Sequence, residues 1–463
     1  MPPIRTILES KELSAAEKVG ILKNKVISVP AWSGRNGLEQ EYNPRKHPVM
    51  NKQRYPDEIT DEGVKPVSRV TLDWTRLAVS RMTELCTGIP IKRLYEPEND
   101  KQKEIAKYLE RIYDRTRIDS VNVERLNQLF ASCEIATLWY AVEQRNNLYG
   151  FESPLKLRCR TFAPMKGDEL YPLFDEYGDM VAMSIGYSHK VDKKTVQYLD
   201  TYTDERHVKY SDLNGEWEEV ENEEISIIKI PAAYCFRPTP IWENTAESFV
   251  YEVEWALSRN GNYLRKNSKP RFVVYADEII AYGGEKSEDA EFQSVMQFPK
   301  GSTAGYVTWS QAIDNLKFYV SELRSQFFTQ LQLPDWSYEK MSQQALSGES
   351  RKQLFIDSQM KVHDESGRLL EFFDRETNII KAFLKVMLPE SYHKDIDALK
   401  VKTRITPFSI TDQKELVDKL MTANGGRPIM SQRESIEEFG MSDDVDKTLE
   451  EIAQQGIEDV FAE

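Results

Sequence analysis

"ENTAESFVYEVEWALSRNGNYLRKNSKPRFVVY" (243–275), "FFTQLQLPDWS" (327–337) and "ALSGESRKQLFIDSQMK" (345–361) are the joints of one stretch, Glu243–Met387, on which the architecture turns. It reads as a helix over Glu243–Ser268, a compact αβ insert over Arg271–Ser310 and a second helix over Gln311–Gln332. A polar loop and one very long helix, Glu349–Met387, follow. The helices rest on apolar residues recurring every three or four positions. Phe249, Val253, Leu257 and Leu264 fall near one face of the first, with Tyr263 beside them; Ile313, Leu316, Val320, Leu323, Phe327 and Leu331 do the same in the second. The third covers 39 positions, roughly 58 Å at ~1.5 Å per residue. A helix of that length needs partners along it, and Gly367 is its expected bend.

The stripes on the two shorter helices exceed what one chain can cover. With no third helix to close a bundle, they predict packing against another copy, unlike patch on unlike patch, the head-to-tail contact that closes into rings. Phe249, Val253, Leu257, Leu316, Val320, Leu323 and Phe327 are the expected inter-subunit contacts.

The totals allow more than one core: 463 residues, 40% hydrophobic and 30% charged, predict two or more domains of mixed α+β class. A net charge of −15 argues against a simple basic DNA-binding surface. The excess is concentrated at the end, where Thr411–Glu463 carries 14 acidic and 5 basic residues. No apolar run approaches the ~18–20 residues that span a bilayer, so no membrane is expected. The opening "MPPIRTILESKEL" has no apolar core of a secretion signal. Cys86, Cys133, Cys159 and Cys235 have no metal or disulfide spacing, which fits a reducing place of assembly.

Upstream, a helical opening (Ile7 to Lys25) leads into the Pro-rich arm "EYNPRKHPVMNKQRYPDE", read as extended or solvated, or as wrapping a neighbouring subunit. A helix is expected from Ser68 to the Gly88–Pro90 corner, then helices over Asp100–Arg117 and Ser120–Glu134. From Ala136 the period drops to two. "TLWYAVEQ", "PLKLRCRTF", "MVAMSIGYSH", "TVQYLDTYT", "RHVKYSD" and "EWEEVE" read as strands of an antiparallel meander, with Asn214-Gly215 as a tight hairpin turn. Downstream, "DALKVKTRITPF" reads as a strand rejoining that sheet. Amphipathic helices follow at Asp412–Thr422, Ser431–Phe439 and Val445–Gln454, with Ser431 and Glu434 as a capping box.

This ordered set, with "SRVTLDWTRLAVSRMTELCTGIPIKR" (68–93), "YPLFDEYGDMVAMSIGY" (171–187) and "VQYLDTYTDERHVKY" (196–210), resembles the portal proteins of tailed bacteriophages over most of the chain. The resemblance implies an N-terminal arm and wing (1–242), a stem helix (243–270), a clip (271–310), a second stem helix (311–332) and a tunnel loop (333–349). A long kinked wing helix with its returning strand (350–406) and a helical acidic crown (407–463) complete it. It further implies a ring of twelve at one capsid vertex, assembled in the host cytoplasm and carried in the virion. Double-stranded DNA would be packaged through it by the terminase large subunit and later ejected. Major capsid or scaffolding protein would be partners, as would head-completion or tail adaptor proteins, which dock on the clip together with terminase.

Motifs for catalysis are missing: there is no GxxxxGK[ST] and no GxSxG. His47, His189, His207, His363 and His393 stand apart and read as surface or locally bonded residues. No cofactor and no metal is expected. The rival readings are a metal-dependent nuclease using Asp277, Glu278 and Glu285, and a non-viral ring adaptor of the same plan. Contact with a polyanion has two candidate sets. One is basic, at the stem–clip junction and on the second helix: Arg265, Lys266, Lys269, Arg271, Lys317 and Arg324. Its alternative is a solvated face with salt bridges between subunits. The other is the loop, with Asp335, Trp336, Ser337, Tyr338, Glu339, Lys340, Gln343 and Gln344, which the resemblance turns toward DNA. Packing of Trp336 and Tyr338 on a neighbour is the alternative there.

Overall fold

A computed structural model of the chain describes residues 4–24, 35–60, 63–267, 271–275, 303–307, 313–335, 356–408, 413–425, 428–440, 442 and 445–462. Two compact units emerge: Met1–Arg35, Ala78–Ile241 and Phe328–Glu463 form one, and Asn36–Leu77 with Trp242–Phe327 the other.

In the larger unit a five-stranded antiparallel meander runs Glu169–Phe174, Met180–Val191, Lys194–Tyr202, Arg206–Ser211, Glu218–Glu224. Alternation gives it two apolar faces. Leu199, Val208 and Tyr210 on one face bury Leu8, Val19 and Leu22 of the helices Ile4–Glu9 and Ala15–Leu22. Leu170, Met183, Ile185 and Tyr202 on the other meet Ala136, Leu138, Phe162, Ala232 and Tyr234. Those five belong to a separate three-stranded sheet, ordered Ala232–Phe236, Glu134–Asn146, Ser153–Phe162. The long helix, Ile356–Met387, packs on strand Ala232–Phe236 and passes through Gly367 without interruption. Residues 349–355 of its expected span lie outside the described residues.

The single six-strand meander is therefore corrected to two facing sheets. The chain changes sheet at Ala163–Asp168, where a short 3-10 turn at Pro164–Lys166 ends at Gly167, φ +96°. Two strands escaped the period-two reading. Glu169–Phe174 contains Pro172, tolerated because this is an edge strand, and Ala232–Phe236 is buried too completely to alternate. The returning strand is Lys400–Arg404, which pairs with Lys92–Glu96 instead of the meander. Asn214-Gly215 sits in a six-residue connection between Ser211 and Glu218. The tight two-residue turn is Asp192-Lys193, with φ +46° and +70° and no glycine. At the N-terminus the expected single helix is two, because Ser14 and Glu17 form a capping box that starts a second one. The Ser431–Glu434 capping box is present, opening Gln432–Phe439 between the helices Gln413–Asn424 and Val445–Ala462.

The smaller unit holds the paired helices. A π-helical turn, Ala246–Tyr251, leads into Glu252–Asn267. The insert contributes an antiparallel pair, Arg271–Tyr275 with Thr303–Val307, and Ile313–Gln330 follows. The helix expected from Ser68 begins only at Trp74. Backbone N–H groups before it are already committed to the helix Glu252–Asn267.

Candidate functional site

Alternate residues of an extended segment expose their N–H groups along one edge, while residues four apart on a helix share a face. The two spacings match here. The N–H of Ser68 donates to Asn262 Oδ1 (2.5 Å), Val70 to Ser258 Oγ (2.8 Å) and Leu72 to Glu254 Oε1 (2.7 Å). Gly261 allows the approach, since a Cβ there would lie 2.7 Å from Ser68 Oγ.

Glu254 also pins the Pro-rich arm. His47 Nδ1 lies 2.6 Å from the same Oε1, and His47 Nε2 lies 3.1 Å from the Glu41 carbonyl oxygen; both side chains of the pair are fully buried. A carbonyl only accepts, so Nε2 is the donor there. Glu254 Oε2 and the Tyr251 hydroxyl are buried with no hydrogen-bond partner among the described residues. Trp242 Nε1 donates to Glu41 Oε2 at 2.7 Å. Burial pushes the Glu41 carboxyl above the usual range, the Trp242 bond opposes this, and Glu247 adds to it. His47, read as a surface or locally bonded residue, is thus a core histidine: its Glu41 bond is local, but the Glu254 bond reaches the helix Glu252–Asn267.

On the outer faces of this unit the apolar exposure is not where the sequence placed it. Val253 and Phe327 were expected between subunits, but both are fully buried within the chain, Phe327 beside Trp74 with ring centroids 5.5 Å apart. Phe249, Leu257, Leu316, Val320 and Leu323 are half-buried. On the two helices the exposed apolar residues are Trp255, Tyr263, Leu264, Tyr319 and, at 71% exposure, Phe318. The helical period is right; its phase relative to the chain's own core lay beyond single-sequence reading. Among the basic candidates, Arg265 is exposed and donates to the Pro66 carbonyl at 3.3 Å, Lys317 is exposed and Arg324 is half-buried. The side chains of Lys266 and Arg271 lie outside the described residues, as does Lys269.

In the larger unit the base of the loop is fixed. Arg81 donates to the Pro334 carbonyl (2.6 Å), pairs with Asp335 at 3.4 Å and stacks 4.2 Å over the Phe328 ring. Asp335, expected to face DNA, is turned inward with its side chain 8% exposed, because its charge is matched by Arg81. Trp336, Ser337, Tyr338, Glu339, Lys340, Gln343 and Gln344 lie outside the described residues, as do Asp277, Glu278 and Glu285.

Two buried carboxylates, three turns apart, anchor the long helix. Glu376 takes a two-pronged pair from Arg125 (2.5 and 2.9 Å), the Trp139 indole N–H (3.0 Å) and Arg93 (3.4 Å). Arg93 in turn lies 3.6 Å over the Tyr113 ring. Burial would raise the Glu376 carboxyl; Arg125, Arg93 and Trp139 outweigh it and hold the group below its ordinary value. Glu365 is held down in the same way, burial being outweighed by Arg237 (3.1 and 2.8 Å) and Arg368. The sequence reading missed both. The signal was available: Leu369, Phe372, Phe373, Glu376 and Ile380 share helical spacing, and a carboxylate on an apolar face requires a cation. These buried pairs tie the long helix to Arg93, Arg125 and Arg237. Among the described residues no cluster of three His, Cys, Asp or Glu could hold a metal, and no helix is long and apolar enough to cross a membrane.

Compared with known proteins, the chain matches the family described as "Phage portal protein, SPP1 Gp6-like" over residues 36–460. It belongs to that family. Similar solved structures come from gene transfer agent (GTA) particles. One is the neck of an empty particle computed with C6 symmetry: 11% identity, 87% of this chain and 95% of that chain covered, TM-score 0.43. Another is the virion of the native particle: 10%, 92% and 98%, TM-score 0.42. A third is the native neck computed with C12 symmetry: 11%, 92% and 99%, TM-score 0.41. No curated protein matches.

Proposed function

We propose that twelve copies of this chain form a ring at one vertex of a capsid, a channel through which a separate terminase packages double-stranded DNA and through which it later leaves. The paired helices line the channel, the insert docks terminase and then head-completion or tail proteins, and the loop after Asp335 narrows the passage. The sheets and the C-terminal helices face capsid or scaffolding protein and the packed genome. Assembly takes place in the host cytoplasm. On this reading the chain performs no catalysis of its own.

Family membership supports this reading. The observation that carries it is the exposed aromatic and aliphatic surface on the paired helices, Phe318 above all, which another copy would cover. Electron microscopy of the purified protein is expected to show closed rings with a hole wide enough for a duplex. A particle that stays monomeric at micromolar concentration refutes the proposal. Phe318→Glu is expected to abolish or sharply weaken ring formation while leaving the circular dichroism spectrum unchanged. The side chain spends little of its surface inside the chain, so its loss costs assembly and not folding.

A further inference from the structure

We propose that the wing carries a docking face for an acidic protein segment with apolar residues between its carboxylates, on the outer part of strands Glu134–Asn146 and Ser153–Phe162. The inference does not rest on the channel reading.

The two sheets share a core, and one ribbon of each runs on past it. In the first ribbon Ala136, Leu138 and Phe162 belong to that core. Outward on the same face come Leu138 opposite Arg160, Tyr140 opposite Arg158 and Val142 opposite Lys156. Strand Ala232–Phe236 accompanies this ribbon only as far as Leu138. In the second, the neighbours stop pairing at Gly186 and Tyr198. Beyond them Tyr187 faces Tyr198, His189 faces Val196 and Val191 faces Lys194. Arg160 bridges the ribbons, 4.5 Å from the Phe162 ring centroid and 5.6 Å from that of Tyr187.

The result is a row of three cations, Lys156, Arg158 and Arg160, at two-residue intervals, about 6.6 Å apart on a strand. In a chain of net charge −15, none of the three has an ion-pair partner among the described residues, whereas Lys209, Lys385 and Lys402 each hold a carboxylate. Beside the cations Tyr140 and Val142 are each 38% exposed. An extended acidic segment repeats its carboxylates at the same interval, which is the charge complementarity that selects the occupant. Val142 and Val191 favour a protein over a nucleic acid, because a phosphate backbone offers them nothing apolar.

Docking is by side chains and not by strand addition, for several backbone groups on the outer edge of Ser153–Phe162 already have partners. Tyr149 Oη accepts from the Leu157 N–H at 2.8 Å and Ser153 Oγ from the Leu155 N–H at 3.2 Å. The Leu155 carbonyl accepts from Ser153 and Asn146, and that of Thr161 from Lys166.

The test uses the full chain and a short fluorescent peptide alternating Glu with Val and Thr, read by anisotropy. Wild type is expected to bind it, and Lys156→Glu with Arg158→Glu is expected to weaken binding on the order of tenfold or more. Val142→Ser should weaken it less, and circular dichroism should show every variant folded. Failure of wild type to bind overturns the proposal, as does equal binding by the charge-reversed variant. Loss on charge reversal but not on Val142→Ser, with displacement by duplex DNA, would make the occupant a nucleic acid instead. Stronger binding of a peptide copying residues 442–463 would make it a second copy of this chain. Either result overturns the assignment to a separate protein.

Discussion

Glu376→Ala is expected to cost the folded chain about 3–5 kcal/mol, the usual penalty for leaving a buried cation without its partner. The carboxylate is fully buried and receives Arg125, Arg93 and the Trp139 indole together. Deleting it strands two guanidinium groups in a layer that also contains Phe372, Phe373 and Tyr113. Urea unfolding followed by circular dichroism checks this. The midpoint should fall markedly, and Glu376→Gln should fall less because the amide oxygen still accepts one donor. A shift no larger than that of an exposed acid such as Glu371→Ala would show the site to be unimportant. The same group sets a pH dependence. Its folded-state pKa lies below the ordinary 4.5, so the native chain binds fewer protons than the unfolded one just below that value. The stabilisation is therefore full above about pH 4.5 and is lost as pH falls through the folded-state value. Glu365 acts in the same direction. Acid unfolding monitored from pH 6 downward should be steeper in wild type than in Glu376→Gln, which has no proton to take up at this position.

The second large effect is expected at Glu254. One carboxylate oxygen serves both the extended segment, through the Leu72 N–H, and the arm, through His47. Glu254→Ala leaves the part-buried Leu72 N–H without its acceptor and the buried His47 ring without its partner, each costing about 1–3 kcal/mol. The loss should be local first. Hydrogen exchange at Leu72 and protease cleavage in the arm around His47 should accelerate before the larger unit unfolds. His47→Ala breaks only one of the contacts and should cost less. The double variant should fall well short of the sum of the two, since both remove the same bond. Additive losses would mean that the 2.6 Å contact contributes nothing. On the channel reading the pair ties the first stem helix to the arm, so Glu254→Ala rings should also be less uniform under the electron microscope.

Most of the element order could be read from the chain because apolar period is a local property. The helices Asp100–Arg115, Ile313–Gln330 and Ile356–Met387 all answer to spacing visible in one window of sequence. The capping boxes at Ser14 and Ser431 answer to four adjacent residues, although the first went unread. Partnership was harder. Nothing near residue 400 says that Lys400–Arg404 pairs with Lys92–Glu96, and nothing near Pro164 says that the chain crosses to a facing sheet. Those outcomes depend on which surfaces are already covered when the strand arrives.

The candidate site divides along the same line. Apolar spacing placed the paired helices, while the phase that sends Val253 and Phe327 inward and Phe318 outward depends on partners far along the chain, Trp74 beside Phe327 among them. Sequence alone determined which spans are helical and which alternate as strands, because hydrogen-bond period is written within a few residues. Only the tertiary structure decided that His47, Asp335 and Glu376 are buried partners, because a charge leaves water only when a distant opposite charge or donor arrives to meet it.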